Sequence, residues 1–136
     1  MIRCVVFDLY GVLYPDEDGH GRQVVESVKA PGYQVAAITN LPQEVALKAA
    51  EGVGIEDVVV SGEVGLSKTS PAIYREFVEY QGVKPDECVM IDDTVENLRA
   101  AKQAGWWTVF LGEGEAMAAD FQIRELGDIL GVLDKL

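Results

Sequence analysis

Three acidic residues follow apolar runs closely enough to be delivered to one place. Asp8 comes directly after Cys4-Val5-Val6-Phe7, and Asp92-Asp93 directly after Val89-Met90-Ile91. Carboxylates gathered at one edge repel one another unless a cation neutralises them. An all-oxygen set drawn from Asp8, Asp92 and Asp93 suits Mg2+, which takes a few carboxylates together with water and phosphate oxygens. An ionised carboxylate can also act as a nucleophile and pass through a covalent intermediate. Two further groups would complete such chemistry. Thr39-Asn40 follows the apolar run Val35–Ile38, and Lys68 ends a glycine-containing stretch shortly before a helix start. A hydroxyl and a backbone amide can bind phosphoryl oxygens, and a lysine can hold nucleophile and phosphate together.

Short strands with helices between them would position these groups. Cys4–Phe7, Val35–Ile38, Val58–Val60, Val89–Ile91 and Thr108–Leu111 read as buried strands, since none alternates polar with apolar residues. Phe121–Ile123 is a further short strand candidate within a helical tail running from Ala116 to Leu136. Helices are expected over Pro42–Glu51, Pro71–Gln81 behind a Ser70 cap, and Thr94–Ala104. Strand–helix–strand order implies an α/β fold with a parallel sheet of about five strands and right-handed crossovers. In such sheets ligands bind beyond the carboxyl ends of the strands, which is where Asp8, Thr39, Asn40, Asp92 and Asp93 would stand.

The chain is 136 residues long, which predicts one domain over residues 1–136. Its net charge of −12 argues against nucleic acid or a membrane surface as partner. No apolar run is long enough to cross a bilayer, and Asp8 interrupts the first one too early for a signal peptide. Cys4 and Cys88 form no metal or disulfide pattern, and reduced, neighbouring thiols in a cytoplasmic protein are expected.

The order and spacing of these stretches resemble the haloacid dehalogenase superfamily of hydrolases. The resemblance is carried by Val5–Leu13, Ala37–Asn40, Lys68–Tyr74 and Val89–Asn97, and continues through Ala100–Trp106. It implies a three-layer Rossmann-like core, Mg2+ dependence and attack by an aspartate on a phosphoryl group. Position by position, Asp8 resembles the nucleophile, Thr39 the phosphate-binding hydroxyl and Lys68 the stabilising lysine. Asn40, Tyr10 and Gly11 fall in the substrate-binding set. Asp8, Asp93, Asp92 and the carbonyl of Tyr10 match the metal-binding set, with Asp92 behind the others.

Two departures stand out. The family's phosphatases carry a second aspartate two residues after the nucleophile, as the acid for the leaving group. Here that position is Tyr10, and a phenol releases its proton far less readily than a carboxylic acid. Phosphomonoester hydrolysis should therefore be slow, with acyl or aryl phosphates affected least. Secondly, about twenty residues separate each of the first strand pairs, too few for a cap domain. Without a cap, a large phosphorylated substrate or a homodimer partner is compatible with the site, and Tyr10, Tyr14 and Trp107 could wall it. Two alternatives come with the resemblance. One is a regulatory domain that binds phosphate and Mg2+ without turnover. The other is a 2-haloacid dehalogenase, for which Arg22 is the only nearby candidate for a halide-cradling arginine. A response-regulator receiver domain is excluded because its acidic pair comes first.

Other residues have plainer expectations. Asn97, one helical turn after Asp93, is positioned to brace that loop. His20 reads as a surface histidine, Asp16-Glu17-Asp18 as a solvated run, and Trp106-Trp107 as the start of a strand.

Overall fold

A computed structural model of the chain describes residues 1–115 and 118–136. The expected helical tail begins at Ala116, and that residue and Met117 lie outside the described part. Six apolar runs form strands: β1 (Cys4–Phe7), β2 (Gln34–Thr39), β3 (Asp57–Val60), β4 (Cys88–Asp92), β5 (Trp107–Leu111) and β6 (Phe121–Ile123). They make one sheet in the order β3-β2-β1-β4-β5-β6, and every neighbouring pair is parallel. The sheet thus has six strands where about five were expected. The additional edge strand is held at its start by Asp120. That residue accepts from the Thr108 amide at 2.9 Å and the Thr108 hydroxyl at 3.1 Å, and returns its own amide to that hydroxyl.

The helices are α1 (His20–Lys29), α2 (Gln43–Val53), α3 (Ser61–Val64), α4 (Pro71–Gln81), α5 (Val95–Gln103) and α6 (Ile129–Leu133). Alternate residues of a strand point to opposite faces, and here both faces are covered. Val5, Phe7, Ala37 and Ile91 pack with α1, α2 and α6, whereas Val6, Ile38 and Met90 pack with α4 and α5. Three layers result, and they explain why the central strands are apolar without alternation. Cys4 and Cys88 are register partners on β1 and β4, buried and unbridged, as expected.

Helix boundaries follow local chemistry. Helix α4 begins at Pro71 behind Ser70, whose hydroxyl accepts from the Ala72 amide at 3.3 Å, and it stops at Gly82 with φ +69°. The acidic run before α1 is not simply solvated. Asp16 accepts from the Gly21 amide at 2.7 Å and the Arg22 amide at 3.0 Å, and Asp18 from the His20 amide at 3.0 Å. The first amides of a helix lack partners within it, and its positive end favours carboxylates. His20 opens α1 as an exposed residue.

Trp107 also departs from expectation. It is the first residue of β5, so it stands at the rim opposite Asp8 and packs near Phe121, with ring centroids 6.5 Å apart. It cannot wall the site. Trp106 is buried edge-on against Tyr74 and Phe77, at 5.3 Å and 5.2 Å.

The helix-start role of Asp16 is testable by urea unfolding. Asp16→Ala is expected to cost about 0.5–2 kcal/mol, with Glu17→Ala, at an exposed neighbour, close to neutral. Equal effects from both would contradict the assignment.

Candidate functional site

The chain starts at β1, adds β2 and β3 on one side, and then crosses back to lay β4 on the other side of β1. The strand order reverses between β1 and β4, and that reversal opens a crevice at their carboxyl ends. Asp8 directly follows β1, and Asp92 is the last residue of β4. In-register pairing of Phe7 with Ile91 brings the next residue of each strand together. Here the fold gathers Asp8, Tyr10, Thr39, Asn40, Lys68 and Asp93 around an open pocket of about 420 Å³.

At its base lies a buried ion cluster. Lys68 is 1% exposed, and its Nζ stands 2.7 Å from Asp8 Oδ1 and 2.9 Å from Asp92 Oδ2. Asp92 is fully buried and has both oxygens engaged. Oδ1 accepts from the Thr94 amide at 3.0 Å, and Oδ2 from Asn97 Nδ2 at 3.1 Å as well as from Lys68. Asn97 therefore braces Asp92 in particular. Asp93 is the exposed member, with Oδ1 accepting from the Thr94 hydroxyl at 3.2 Å.

Three carboxylates face one ammonium. Each of Asp8, Asp92 and Asp93 offers an oxygen, and these oxygens lie within 4.8 Å of one another. Burial, then repulsion from Asp92, raises the Asp8 pKa from 3.8 to about 7 despite Lys68. Asp93 is shifted upward too, by burial and then by Asp92. Such strain in charge, with only oxygen donors, fits a hard divalent cation. Asp8 and Asp93 have the oxygens least committed to the protein.

The remaining expected residues divide. Thr39 is buried, and its Oγ1 accepts from the Leu41 amide at 3.0 Å, which leaves the hydroxyl proton to be donated. Asn40 lines the pocket, while its Oδ1 accepts from the Ser61 hydroxyl at 2.7 Å. The Gly11 amide is engaged by the Tyr14 carbonyl at 3.0 Å. What Gly11 provides is space: with φ +87°, a Cβ there would stand 2.3 Å from Asp93 Oδ2. Tyr10 is 63% exposed at the pocket mouth. Arg22 binds Glu26 and the Gly52 carbonyl, each at 3.2 Å, and is not among the pocket residues. The segments joining β1 to β2 and β2 to β3 hold α1 and α2, and nothing of domain size.

Tyr74 was not foreseen. Its buried hydroxyl donates to the Lys68 carbonyl at 2.7 Å, so α4 fixes the backbone that carries the ammonium. Burial, then Asp92 and Asp8, pushes the phenol pKa upward and keeps it a donor. The only sequence signal was a hydroxyl beside the apolar residues Ile73 and Phe77 of one buried face.

The Asp8 shift has a signed consequence for the metal-free protein. Between 3.8 and about 7 the folded chain holds a proton that the unfolded chain has released. This contribution to stability is complete below about pH 4 and is lost as the pH rises to about 7, by up to about 4 kcal/mol. Thermal unfolding across that range should slope downward more steeply for the wild type than for Asp8→Asn; parallel slopes would contradict the reading.

Comparison with known proteins agrees with this fold. The profile of the haloacid dehalogenase-like hydrolase family matches residues 18–105. The chain is 35% identical over 92 residues to a glyceraldehyde 3-phosphate phosphatase of Methanopyrus kandleri, covering 58% of this chain and 40% of that protein. It is 30% identical over 126 residues to a phosphorylated carbohydrates phosphatase of Thermotoga maritima, covering 85% of this chain and 58% of that protein. The chain spans about half the length of the curated relatives it matches. Among solved structures, the L-2-haloacid dehalogenase from Xanthobacter autotrophicus with chloropropionic acid covalently bound gives a TM-score of 0.82 over 100% of both chains. At 14% identity that likeness speaks for the fold alone. The matching profile, the parallel sheet and the carboxylates at its switch point lead to one conclusion: this chain belongs to the haloacid dehalogenase-like hydrolases.

Proposed function

We propose that the chain is the core of a Mg2+-dependent phosphatase-type hydrolase in which Asp8 is the nucleophile. One observation carries the reading. The Lys68 ammonium is buried between Asp8 and Asp92 in a pocket that Thr39 also lines. A buried lysine in that position holds the attacking carboxylate still and leaves it with a partner for phosphoryl charge. A Mg2+ ion taken by Asp8, Asp93 and the Tyr10 carbonyl, with Asp92 behind them, would neutralise the carboxylates and draw charge from the phosphoryl group.

The chain's own residues then have distinct tasks. A carboxylate oxygen of Asp8 forms a bond to phosphorus as the bond to the leaving oxygen breaks, and the electron pair departs with that oxygen. Lys68 and the Thr39 hydroxyl bind the non-bridging oxygens, with Asn40 beside them. Water then attacks phosphorus, which releases phosphate and returns Asp8 as a carboxylate. At the first step Tyr10 stands where a carboxylic acid would serve the leaving group. Alkoxide departure therefore lacks about 10²–10⁴-fold of assistance. Substrates whose leaving groups are already stable, acyl or aryl phosphates, suit this site best. The open mouth admits large phosphorylated substrates. The dehalogenase alternative loses support, because Arg22 is bound to Glu26 and Gly52.

Tyr10 also favours a second reading, a domain that binds phosphate and Mg2+ without turning substrate over. One assay separates the two: hydrolysis of an aryl and an alkyl phosphate, with and without Mg2+. Wild type should hydrolyse the aryl ester in the presence of Mg2+, and Asp8→Asn should not. Tyr10→Asp should raise the alkyl rate by about 10²-fold or more and narrow the difference between esters. Turnover by Asp8→Asn would refute the nucleophile. Phosphate binding without any wild-type turnover, with activity gained only in Tyr10→Asp, would establish the second reading.

A further inference from the structure

Away from the Asp8 pocket, β3 forms one end of the sheet and has β2 as its single strand neighbour. A groove of about 380 Å³ runs along its free edge, bordered by α2, α3 and α4. Its apolar lining includes Val58, Val60, Leu66, Ile73 and Phe77. Among the described residues, seven large apolar side chains are exposed. Three of the seven, Leu47 at 51%, Val64 at 45% and Tyr80 at 87%, border this one groove. Single exposed apolar residues need no explanation, but a cluster beside an unpaired strand edge marks an interaction surface. The groove's charges all have one sign: Glu56, Asp57, Glu63 and Glu76 line it, and no lysine or arginine does.

We propose that this groove docks an extended segment of another polypeptide in which basic and apolar residues alternate, added as a strand at the edge of β3. The strand edge dictates the extended form, since an added strand pairs with backbone groups that β3 leaves open. Alternation follows from the two faces of a strand: one row of side chains enters the apolar groove, and the other meets the carboxylates. The charge dictates the partner. A second copy of this chain would bring the same four carboxylates and a further net charge of −12 against the groove. Because β3 is four residues long, contact is brief and the interaction weak. The groove lies close to the Asp8 pocket: Val60 lines the groove, and the next residue, Ser61, donates to Asn40, which lines the pocket. Docking there holds a partner beside the Asp8 pocket, and it depends on no assumption about turnover.

The test uses a short peptide of alternating Lys and Val, with a Lys-Gly peptide of equal charge as control, titrated into the 15N-labelled chain. Amide shifts should concentrate in β3, α3 and α4, and the Lys-Val peptide should bind about tenfold tighter than the control. Tyr80→Ser and Leu47→Gln, both at exposed positions, should each lose most of that preference, and Glu63→Lys should weaken binding of either peptide. The spectrum of each variant away from the groove reports that the fold is intact. Equal binding of the two peptides would mean general attraction to an acidic protein and would overturn the proposal. So would shifts elsewhere, or concentration-dependent self-association at these residues without peptide, which would assign the groove to a second copy.

Discussion

The structure turns on a buried ammonium. Lys68 is enclosed between Asp8 and Asp92, and each of its contacts, at 2.7 Å and 2.9 Å, is as short as a charge-assisted bond becomes. Burying three such groups is costly, and replacing an ion cluster by apolar residues is often no loss of stability. Stability therefore does not explain its presence. The price is accepted at the one place where the strand order reverses and ligands have access. Surrounding contacts serve the same cluster. Tyr74 holds the Lys68 carbonyl, while Asn97 and the Thr94 amide hold Asp92, so the ammonium and the rear carboxylate have little freedom to move. Asp8 and Asp93 are less constrained, and burial together with Asp92 raises the pKa of each.

Much of this arrangement was legible in residue order. Apolar runs ending in Asp, Thr or Asp-Asp are unambiguous when a parallel sheet delivers every strand end to the same rim, so Asp8, Thr39 and Asp92–Asp93 could be grouped before any contact was known. Lys68 was harder, since it lies on a loop and only its spacing before the Ser70 cap suggested its place. What escaped were interactions between elements distant in sequence. The bond from Tyr74 to the Lys68 carbonyl and that from Ser61 to Asn40 depend on how α4 and α3 are set against the sheet. Trp107 was misplaced for another reason. It reads as the start of a strand, and in a parallel sheet the starts lie at the rim opposite the carboxyl ends, where Trp107 stands as the first residue of β5. Asp16 was misread because a charged run looks solvated until the orphan amides of a helix are counted.

The same scaffold is found in proteins described as phosphatases and in a haloacid dehalogenase, so the fold alone does not choose the chemistry. The choice is made by side chains. A third carboxylate beside Asp8 and Asp92 favours a cation and hence an anionic substrate, whereas an arginine poised over the nucleophile would favour an expelled halide. This chain has the carboxylate, Asp93, and Arg22, the arginine considered for that role, is bound to Glu26 and the Gly52 carbonyl. Tyr10 changes a different part of the reaction. In the proposed reaction it would leave attack on phosphorus untouched and remove help for the departing oxygen, and so act on which substrates react rather than on which atom attacks.

The most direct measurement is the intact mass of the protein after brief mixing with an aryl phosphate and Mg2+ and quenching in acid, followed by peptide mapping. The account predicts a mass gain of one phosphoryl group, located on the peptide containing Asp8 and missing from Asp8→Asn. Steady release of phosphate with no such adduct, or an adduct mapped to another residue, would contradict it.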